Sequence, residues 1–319
     1  MRLDAAIALI ETFAVINPYI QIARPDHWIK NVFLLPGIVI AYFFQPALWQ
    51  LGDLRAIALG VLATCLTASS NYVLNGVLDA RKDMHHPVKK NRPIPSGQVH
   101  LGVAYAEWLA LGAMGIGLGF VVAGPMGWSC VVLWVMGAIY NIPPVRSKDL
   151  PYVDVLSESI NNPIRMAMGW YMTGAAGAPP LSILLAYWMF GAYLMAIKRL
   201  AEYRTIGDAP RAAAYRKSFA FYTEERLLVS ILFYGALFTS FVTVFIERYR
   251  IELVLATPLV AYAMAYYLHM GFKPHSPAQY PEKLYKQHKL LGILVAAFVL
   301  CVVLLFLDVP ALHRRLPLP

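Results

Sequence analysis

Charged residues are scarce in this sequence: Asp, Glu, Lys and Arg make up 14% of its 319 residues, whereas 59% are hydrophobic. A soluble protein typically has about 25% charged residues. The chain is long enough for two soluble domains, but its composition excludes that class. Lipid is therefore the expected solvent for most of the chain.

Cysteine is also rare, with three residues at Cys65, Cys130 and Cys301, each inside an apolar run. Neither a disulfide framework nor a zinc site uses such spacing. The sequence has no GxSxG elbow and no HExxH motif, which gives covalent or zinc-dependent hydrolysis no support. The net charge of +9 has no basic-aromatic nucleic-acid motif beside it, so we expect no nucleic-acid partner.

Apolar stretches of about 20 residues, the length of a spanning helix, recur along the chain. We predict an all-α, polytopic membrane protein with a bundle of nine transmembrane helices. The predicted spans are 31–47, 54–76, 101–123, 126–142, 151–173, 180–200, 227–246, 252–271 and 290–309. Residues 1–23 are interpreted as an interfacial amphipathic segment, with a disordered or processed leader as the alternative. Residues 24–319 show no repeat or linker and are predicted to form a single domain.

Most of the 27 Lys and Arg residues fall in alternate connections between the predicted spans. The opposite side has Arg55, Arg248, Arg250, Arg314 and Arg315. By the positive-inside rule the N-terminus is cytoplasmic and the C-terminus lies outside. We expect a multi-pass protein of the inner membrane whose polar residues face the cytoplasm.

A polar stripe ends the second span, where Asn71, Asn75, Asp79 and Asp83 follow one another at i, i+4 spacing. On a helix these four side chains share one face. Carboxylate and amide oxygens are ligands for Mg²⁺, which commonly also binds substrate phosphate. The alternative is an ordinary helix end entering solvent.

Lys89, Lys90 and Arg92 follow on a proline-rich loop. Three cations held beside carboxylates are suited to bind phosphate, although contact with lipid headgroups is an alternative.

A second stripe occurs in the fifth span. At 100° per residue Asp154, Glu158, Asn161 and Arg165 fall on one face. Charges at that depth normally face a cavity and a partner. The alternative is a structural ion pair between Arg165 and one of the acids. Pro163 predicts a kink or break in this helix.

Smaller polar groups lie at two other span ends. Lys198 and Glu202 share a face at the end of the sixth span, and Lys30 and Asn31 open the first. Each pair is a candidate for substrate contact, with snorkelling or interfacial anchoring as the alternative. Two acidic stripes facing each other across a bundle are suited to hold Mg²⁺ and a diphosphate, with Asp79, Asp83, Asp154 and Glu158 as catalytic candidates.

These motifs resemble the UbiA superfamily of intramembrane prenyltransferases, over nearly the whole chain. The run from Asn75 to Gly97 is the more specific motif, whereas Asp154 and Glu158 give DxxxE in place of the common DxxxD. Within the superfamily RPDHWIKN at 24–31, HPVKKNRPIPSG at 86–97 and KRLAE at 198–202 most resemble decaprenyl-phosphate phosphoribosyltransferases. The pattern of that branch has Asp directly after the first Asn, where this chain has Gly76.

The resemblance implies a nine-helix fold in which Asn75, Asp79 and Asp83 coordinate Mg²⁺ on a diphosphate, as do Asp154 and Glu158 of the second motif. It also implies that Lys89, Lys90 and Arg92 bind phosphate, and that Asp154, Glu158 and Arg165 line the sugar or second phosphate. The expected reaction moves 5-phosphoribose from phosphoribosyl diphosphate to a polyprenyl phosphate. The alternatives are transfer of an isoprenyl chain from its diphosphate to an aromatic or other acceptor, and transport.

Overall fold

Every regular element in the described part of the chain is a helix, which confirms the all-helical class. The computed structural model describes residues 18–51, 54–84, 89–310 and 312. The chain divides into two compact units, one of Met1–Ser147 with Ile164–Gly177 and the other of Lys148–Pro163 with Ala178–Pro319. Residues 1–17, most of the predicted interfacial segment, lie outside the described residues. That segment and the single domain over 24–319 stay predictions.

The first unit is built on three long helices that pack side by side. Its helices are α1 (Pro18–Ala23), α2 (Leu35–Phe44), α3 (Leu48–Leu51), α4 (Leu54–Asp83), α5 (Leu101–Val122) and α6 (Gly124–Asn141). A 3₁₀ helix, Pro25–Leu34, joins α1 to α2. A Cβ at Gly115 would lie 2.4 Å from Thr67 Oγ1, so α4 and α5 approach closely only because glycine stands there.

The second unit surrounds one long central helix. Its helices are α7 (Val153–Ser159), the start of α8 (Asn161–Tyr171), α9 (Leu181–Ile206), α10 (Ala209–Tyr215), α11 (Glu224–Tyr249), α12 (Thr257–Gly271) and α13 (His288–Phe306). Short 3₁₀ turns connect them, including Lys217–Ala220. The buried residues Ala196, Ile197 and Leu200 of α9 belong to the core of this unit.

Local signals end α9 and start the next two helices. Gly207 takes a left-handed conformation (φ +69°) that stops α9. Asp208 caps α10 by accepting a hydrogen bond from the Arg211 peptide, and Thr223 caps α11 in the same way from Arg226. The chain therefore turns back on itself, and Phe219 packs against Tyr203 near the end of α9.

Seven helical stretches among the described residues are long and apolar enough to cross a membrane. They are Pro18–Phe44, Leu54–Asp83, Leu101–Val122, Leu181–Ile206, Glu224–Tyr249, Ile251–Gly271 and His288–Phe306. The predicted count of nine is not confirmed, because the spans 126–142 and 151–173 are not among the seven. The first corresponds to α6, an 18-residue helix that ends in Asn141.

The predicted span 151–173 is interrupted at Ile160, between α7 and α8. Pro163 has no N–H to donate to the carbonyl of Ser159, so the regular hydrogen-bond ladder is lost one turn before the proline. The break that Pro163 predicted is therefore present, and it divides the helix that carries Asp154, Glu158, Asn161 and Arg165 into two. Asp154 and Glu158 lie on α7, while Asn161 and Arg165 lie on α8.

Candidate functional site

The first polar cluster lies at the end of α4, where the predicted stripe is present on one continuous helix. Asp79 accepts a hydrogen bond from Arg146 Nη2 at 2.7 Å, and Asp83 accepts one from Arg92 Nη1 at 2.8 Å. The side chains of Asp79 and Asp83 are 23% and 10% exposed. Asn75 is half-buried one turn earlier. Two largely buried carboxylates of α4 are thus each paired with a guanidinium.

Arg146 is a member of this cluster that the sequence reasoning missed. It follows α6 in a connection that was interpreted only as part of the basic cytoplasmic loops. The signal for it was present, because a cation after the fourth predicted span lies on the same membrane side as the first stripe. Only the packing of α6 against α4 shows that Arg146 reaches Asp79.

The basic loop after α4 is anchored rather than extended. Residues 85–88 lie outside the described part, and Lys89–Asn91 form a 3₁₀ turn. Ile94 is buried against the core, which fixes the loop while Lys90 stays exposed and Lys89 half-buried. The Arg92 guanidinium donates a hydrogen bond to Asp83. Arg92 of this loop therefore lies beside a carboxylate, and the phosphate contact of Lys89, Lys90 and Arg92 stays a prediction.

Asn71 has a different environment from the rest of the stripe. Its Nδ2 donates to the Leu133 carbonyl of α6 at 2.9 Å, and a Cβ at Gly137 would lie 2.1 Å from its Cγ. The amide is therefore packed between two helices. Its contact with a substrate stays a prediction.

A buried polar chain links the start of the first unit to α8. Arg165 Nε donates to Asn31 Oδ1 at 3.1 Å, and Asn31 Nδ2 donates to Cys65 Sγ at 3.1 Å. Arg165 and Asn31 are 8% and 7% exposed. Lys30 donates to His27 Nδ1 at 3.0 Å and lies over the Tyr72 ring. Arg165 and Asn31, predicted from separate motifs, are thus brought into direct contact.

The second polar cluster surrounds Asp154, which is completely buried. Its Oδ2 accepts hydrogen bonds from Arg199 Nε at 2.9 Å and Ser218 Oγ at 3.2 Å. Its Oδ1 accepts one from the Tyr222 hydroxyl at 2.6 Å, and Arg216 Nη1 lies 3.7 Å from Oδ2. Burial, together with the Asp154 charge, raises the pKa of Tyr222 above its ordinary value, so the phenol stays a donor at neutral pH.

Arg199 connects this cluster to the predicted Glu202. Its Nη1 donates to Glu202 Oε2 at 2.9 Å, and Arg199 is 2% exposed. The sequence predicted that Lys198 and Glu202 share a face and contact substrate, and the residue that lies between the two carboxylates is Arg199. Lys198 is half-buried. In the sequence, the one signal for Arg199 is its position three residues before Glu202 in KRLAE, a spacing at which helical side chains can interact. Lys198 in the same motif has the equally suitable i, i+4 spacing.

Glu158 differs from the other predicted acids. It is half-buried on α7, and within the described residues its carboxylate has no hydrogen-bond or ion-pair partner. Asn161 is half-buried at the start of α8. The Asp154 oxygens are occupied by three donors, whereas those of Glu158 are available. Within this unit, Glu158 is the better candidate ligand for a cation.

Magnesium fits the chemistry of these donors. No group of three or more His, Cys, Asp and Glu side chains arranged around a metal position occurs in the described ranges. Mg²⁺ does not require such a cage, since it usually takes one or two carboxylates together with water and substrate phosphate. Asp79, Asp83 and Glu158 supply hard oxygen donors of that kind. Their assignment as metal ligands stays a prediction.

Comparison with known proteins establishes the class. The model of the UbiA prenyltransferase family matches residues 32–285, so the chain belongs to that family. Together with the seven apolar helices, this identifies a multi-pass integral membrane protein.

The similarity extends to named relatives. The chain is 30% identical over 214 residues to the decaprenyl-phosphate phosphoribosyltransferase of Corynebacterium glutamicum, covering 65% of this chain and 60% of that protein. It is 29% identical over 222 residues to that of Mycolicibacterium smegmatis, covering 67% and 65%. The chain thus matches less than two thirds of the length of either relative.

A solved structure shares the fold. A UbiA homologue from Archaeoglobus fulgidus, bound to GPP and Mg²⁺, superposes with a TM-score of 0.69 at 19% identity. The superposition covers 89% of this chain and 99% of the homologue.

Proposed function

We propose that this protein is a Mg²⁺-dependent transferase that moves 5-phosphoribose from phosphoribosyl diphosphate to a polyprenyl phosphate. The observation that carries the proposal is the number of cations at the acidic residues: Arg146 and Arg92 each contact a carboxylate of α4, and Lys89 and Lys90 precede Arg92 on the same loop. One diphosphate on Mg²⁺ needs fewer cations than these. A donor with a diphosphate and a separate 5-phosphate needs more. The decaprenyl-phosphate phosphoribosyltransferase relatives support the same reaction.

In the proposed reaction an oxygen of the lipid phosphate forms a bond to ribose C1 while the bond from C1 to the diphosphate breaks. The electron pair of the broken bond leaves with the diphosphate. Bound Mg²⁺ would neutralise charge on this leaving group. Asn75, Asp79 and Asp83 in the first unit are the proposed metal ligands there, and Glu158 is the proposed ligand in the second unit. Arg146, Arg92, Lys89 and Lys90 would bind phosphate oxygens.

Buried polar groups have a supporting role in this proposal. Asp154 fixes Arg199 and Tyr222 by hydrogen bonds, so it is assigned to positioning these side chains. Arg165 and Asn31, which are hydrogen-bonded to each other, are assigned to binding the sugar or its phosphate. Asn71, Asn161, Lys198 and Glu202 complete the predicted substrate contacts. The surfaces involved are expected to face the cytoplasm, where the soluble donor is found.

A direct assay distinguishes this reaction from the alternatives. Purified protein in lipid nanodiscs with Mg²⁺ is offered phosphoribosyl diphosphate and polyprenyl phosphate, or an isoprenyl diphosphate and an aromatic acid. Intact-lipid mass spectrometry is expected to show a gain of one pentose phosphate on the polyprenyl phosphate. A prenylated aromatic acid would replace the proposal with prenyl transfer. Substrates that cross the bilayer unchanged would replace it with transport.

The metal ligands are tested by removing one charge at a time. Asp79→Asn, Asp83→Asn and Glu158→Gln are each expected to lower kcat by about 100-fold or more, the scale of losing one main electrostatic contact to the reacting group. Glu225→Gln, an exposed acid in the first turn of α11, is the matched control and keeps wild-type turnover. Wild-type turnover in Glu158→Gln would remove that residue from the metal site.

A further inference from the structure

The connection between α12 and α13, residues 272–287, has an unbalanced charge. Together with the start of α13 it contains Lys273, Lys283, Lys286 and Lys289, whereas Glu282 is its one acid. All four lysines are exposed, and among the described residues none of them has a carboxylate partner. The positive charge of this surface is therefore not neutralised within the described part of the chain.

A 3₁₀ helix in this connection, Pro281–Lys286, places two of the lysines on the same side. Because such a helix has three residues per turn, side chains three positions apart lie above one another. Leu284 is partly buried and packs against the core of the second unit, whereas Lys283 and Lys286 are exposed. Lys289 follows after the same interval, in the first turn of α13. We refer to Lys283, Lys286 and Lys289 as the lysine stripe.

Each ammonium group of the lysine stripe lies over a tyrosine ring. The distances from nitrogen to ring centroid are 5.7 Å for Lys283 over Tyr280, 5.7 Å for Lys286 over Tyr285 and 5.2 Å for Lys289 over Tyr266. A cation within about 6 Å of a ring centroid is attracted to the face of the ring. Tyrosine is also enriched where proteins cross the headgroup layer of a membrane. The stripe thus combines cations with the aromatic residues typical of that layer.

The stripe lies at the boundary of the membrane, because the helices on both sides of the connection are candidate spans. These spans are Ile251–Gly271, which includes α12, and His288–Phe306, which is α13. The connection joins their ends on the side predicted to be cytoplasmic. Anionic lipids of the cytoplasmic leaflet attract basic segments at this level.

Contacts outside the stripe hold the connection in place. Ser276 is completely buried, and its hydroxyl donates to the Met270 carbonyl at 2.7 Å. Gln279 Nε2 donates to Thr205 Oγ1, at the end of α9, at 2.7 Å. The lysines therefore project from a fixed backbone, and little backbone entropy is lost when a ligand binds to them.

The face of α13 that continues from Lys289 into the membrane is apolar. Residues at alternating spacings of three and four share one face of a helix. From Lys289 these positions are Gly292, Ala296, Val299 and Val303, and all four are exposed. A hydrocarbon chain has room to lie along this face, directly below the lysine stripe.

We propose that the lysine stripe binds the phosphodiester headgroup of an anionic membrane phospholipid. The three ammonium groups supply the opposite charge, and the tyrosine rings lie at the level of the headgroup. The acyl chains of the lipid extend along the exposed apolar face of α13. This binding does not depend on which group the protein transfers, so it stands or falls separately from the proposed function.

Photolabelling of the wild-type protein in nanodiscs tests the ligand. The probes are phosphatidylglycerol and phosphatidylcholine with identical acyl chains and a diazirine near the headgroup, and the labelled peptides are identified by mass spectrometry. We expect phosphatidylglycerol to label residues 280–289 about fivefold more strongly or better, since one cation at an anionic surface contributes about that factor in affinity. Equal labelling by the two probes overturns the proposal.

Competition identifies the source of the phosphate. Excess unlabelled phosphatidylglycerol is expected to prevent the labelling, and about 1 M salt to weaken it, because charges at the surface are screened. If polyprenyl phosphate displaces the probe and phosphatidylglycerol does not, the stripe is a site for the lipid substrate, and the proposal is wrong.

Two double variants separate the stripe from the total charge of the protein. Lys283→Gln with Lys286→Gln removes two cations of the stripe. Arg211→Gln with Lys217→Gln removes two exposed cations elsewhere in the second unit and is the matched control. The stripe variant is expected to lose about tenfold or more of the labelling by phosphatidylglycerol, whereas the control keeps the wild-type level. An equal loss in both variants assigns the effect to net charge and overturns the proposal.

Discussion

Arg199 is the residue whose replacement tests the second cluster most directly. Its guanidinium is 2% exposed and lies between two carboxylates, donating to Asp154 at 2.9 Å and to Glu202 at 2.9 Å. Arg199→Gln removes the charge and leaves Asp154 buried with fewer donors. Arg199→Lys keeps the charge but cannot reproduce both hydrogen bonds.

The size of the expected destabilisation follows from the burial of both Arg199 and Asp154. Removing one partner of a buried ion pair costs about 3 to 5 kcal/mol, because the other charge stays in a poorly polar environment. Asp154→Asn costs less, about 1 to 3 kcal/mol, because Arg199 retains Glu202. Since the two residues share one interaction, the double variant should cost about 1 to 3 kcal/mol less than the sum of the single variants.

Unfolding by SDS in mixed micelles, followed by tryptophan fluorescence, measures these free energies. Lys217→Gln is the control, because Lys217 is 72% exposed and lies 3.6 Å from Asp149. A pair whose cation is exposed to solvent in this way contributes about 0 to 1 kcal/mol. If Arg199→Gln costs no more than Lys217→Gln, or if the effects of Arg199→Gln and Asp154→Asn are additive, the coupled cluster is refuted.

Two further predictions concern the first cluster. Arg146→Gln is expected to raise the KM for the phosphorylated donor about tenfold or more, because a charged hydrogen bond is worth about 1.5 to 3 kcal/mol. Steady-state kinetics measure this KM, with Arg55→Gln at an exposed position as the control. Equal KM values for the two variants would remove Arg146 from the site. Gly76→Asp is expected to fold, because an added Cβ would meet only the Ile94 Cδ1 atom at 3.2 Å. The new carboxylate should lower the half-saturating Mg²⁺ concentration by roughly threefold, and the same value in Gly76→Ala and Gly76→Asp would contradict it.

The sequence alone was sufficient for features that depend on a single helix. Apolar stretches predicted an all-helical membrane protein, and the i, i+4 spacing placed Asn75, Asp79 and Asp83 on one continuous helix, since the period of an α-helix is a local property. The resemblance to the UbiA superfamily, based on these motifs, is confirmed by the family match over residues 32–285.

Tertiary structure decided which side chains meet between helices. Four hydrogen bonds join residues that are far apart in the sequence: Arg146 with Asp79 (67 positions), Arg165 with Asn31 (134), Arg199 with Asp154 (45) and Tyr222 with Asp154 (68). No local period predicts such pairs, because they depend on how separate helices pack. The helix that carries Asp154 and Arg165 is likewise interrupted at Ile160. The sequence by itself therefore determined the helical class and the polar stripe of α4, and only the packing of the helices decided the partner of each charge.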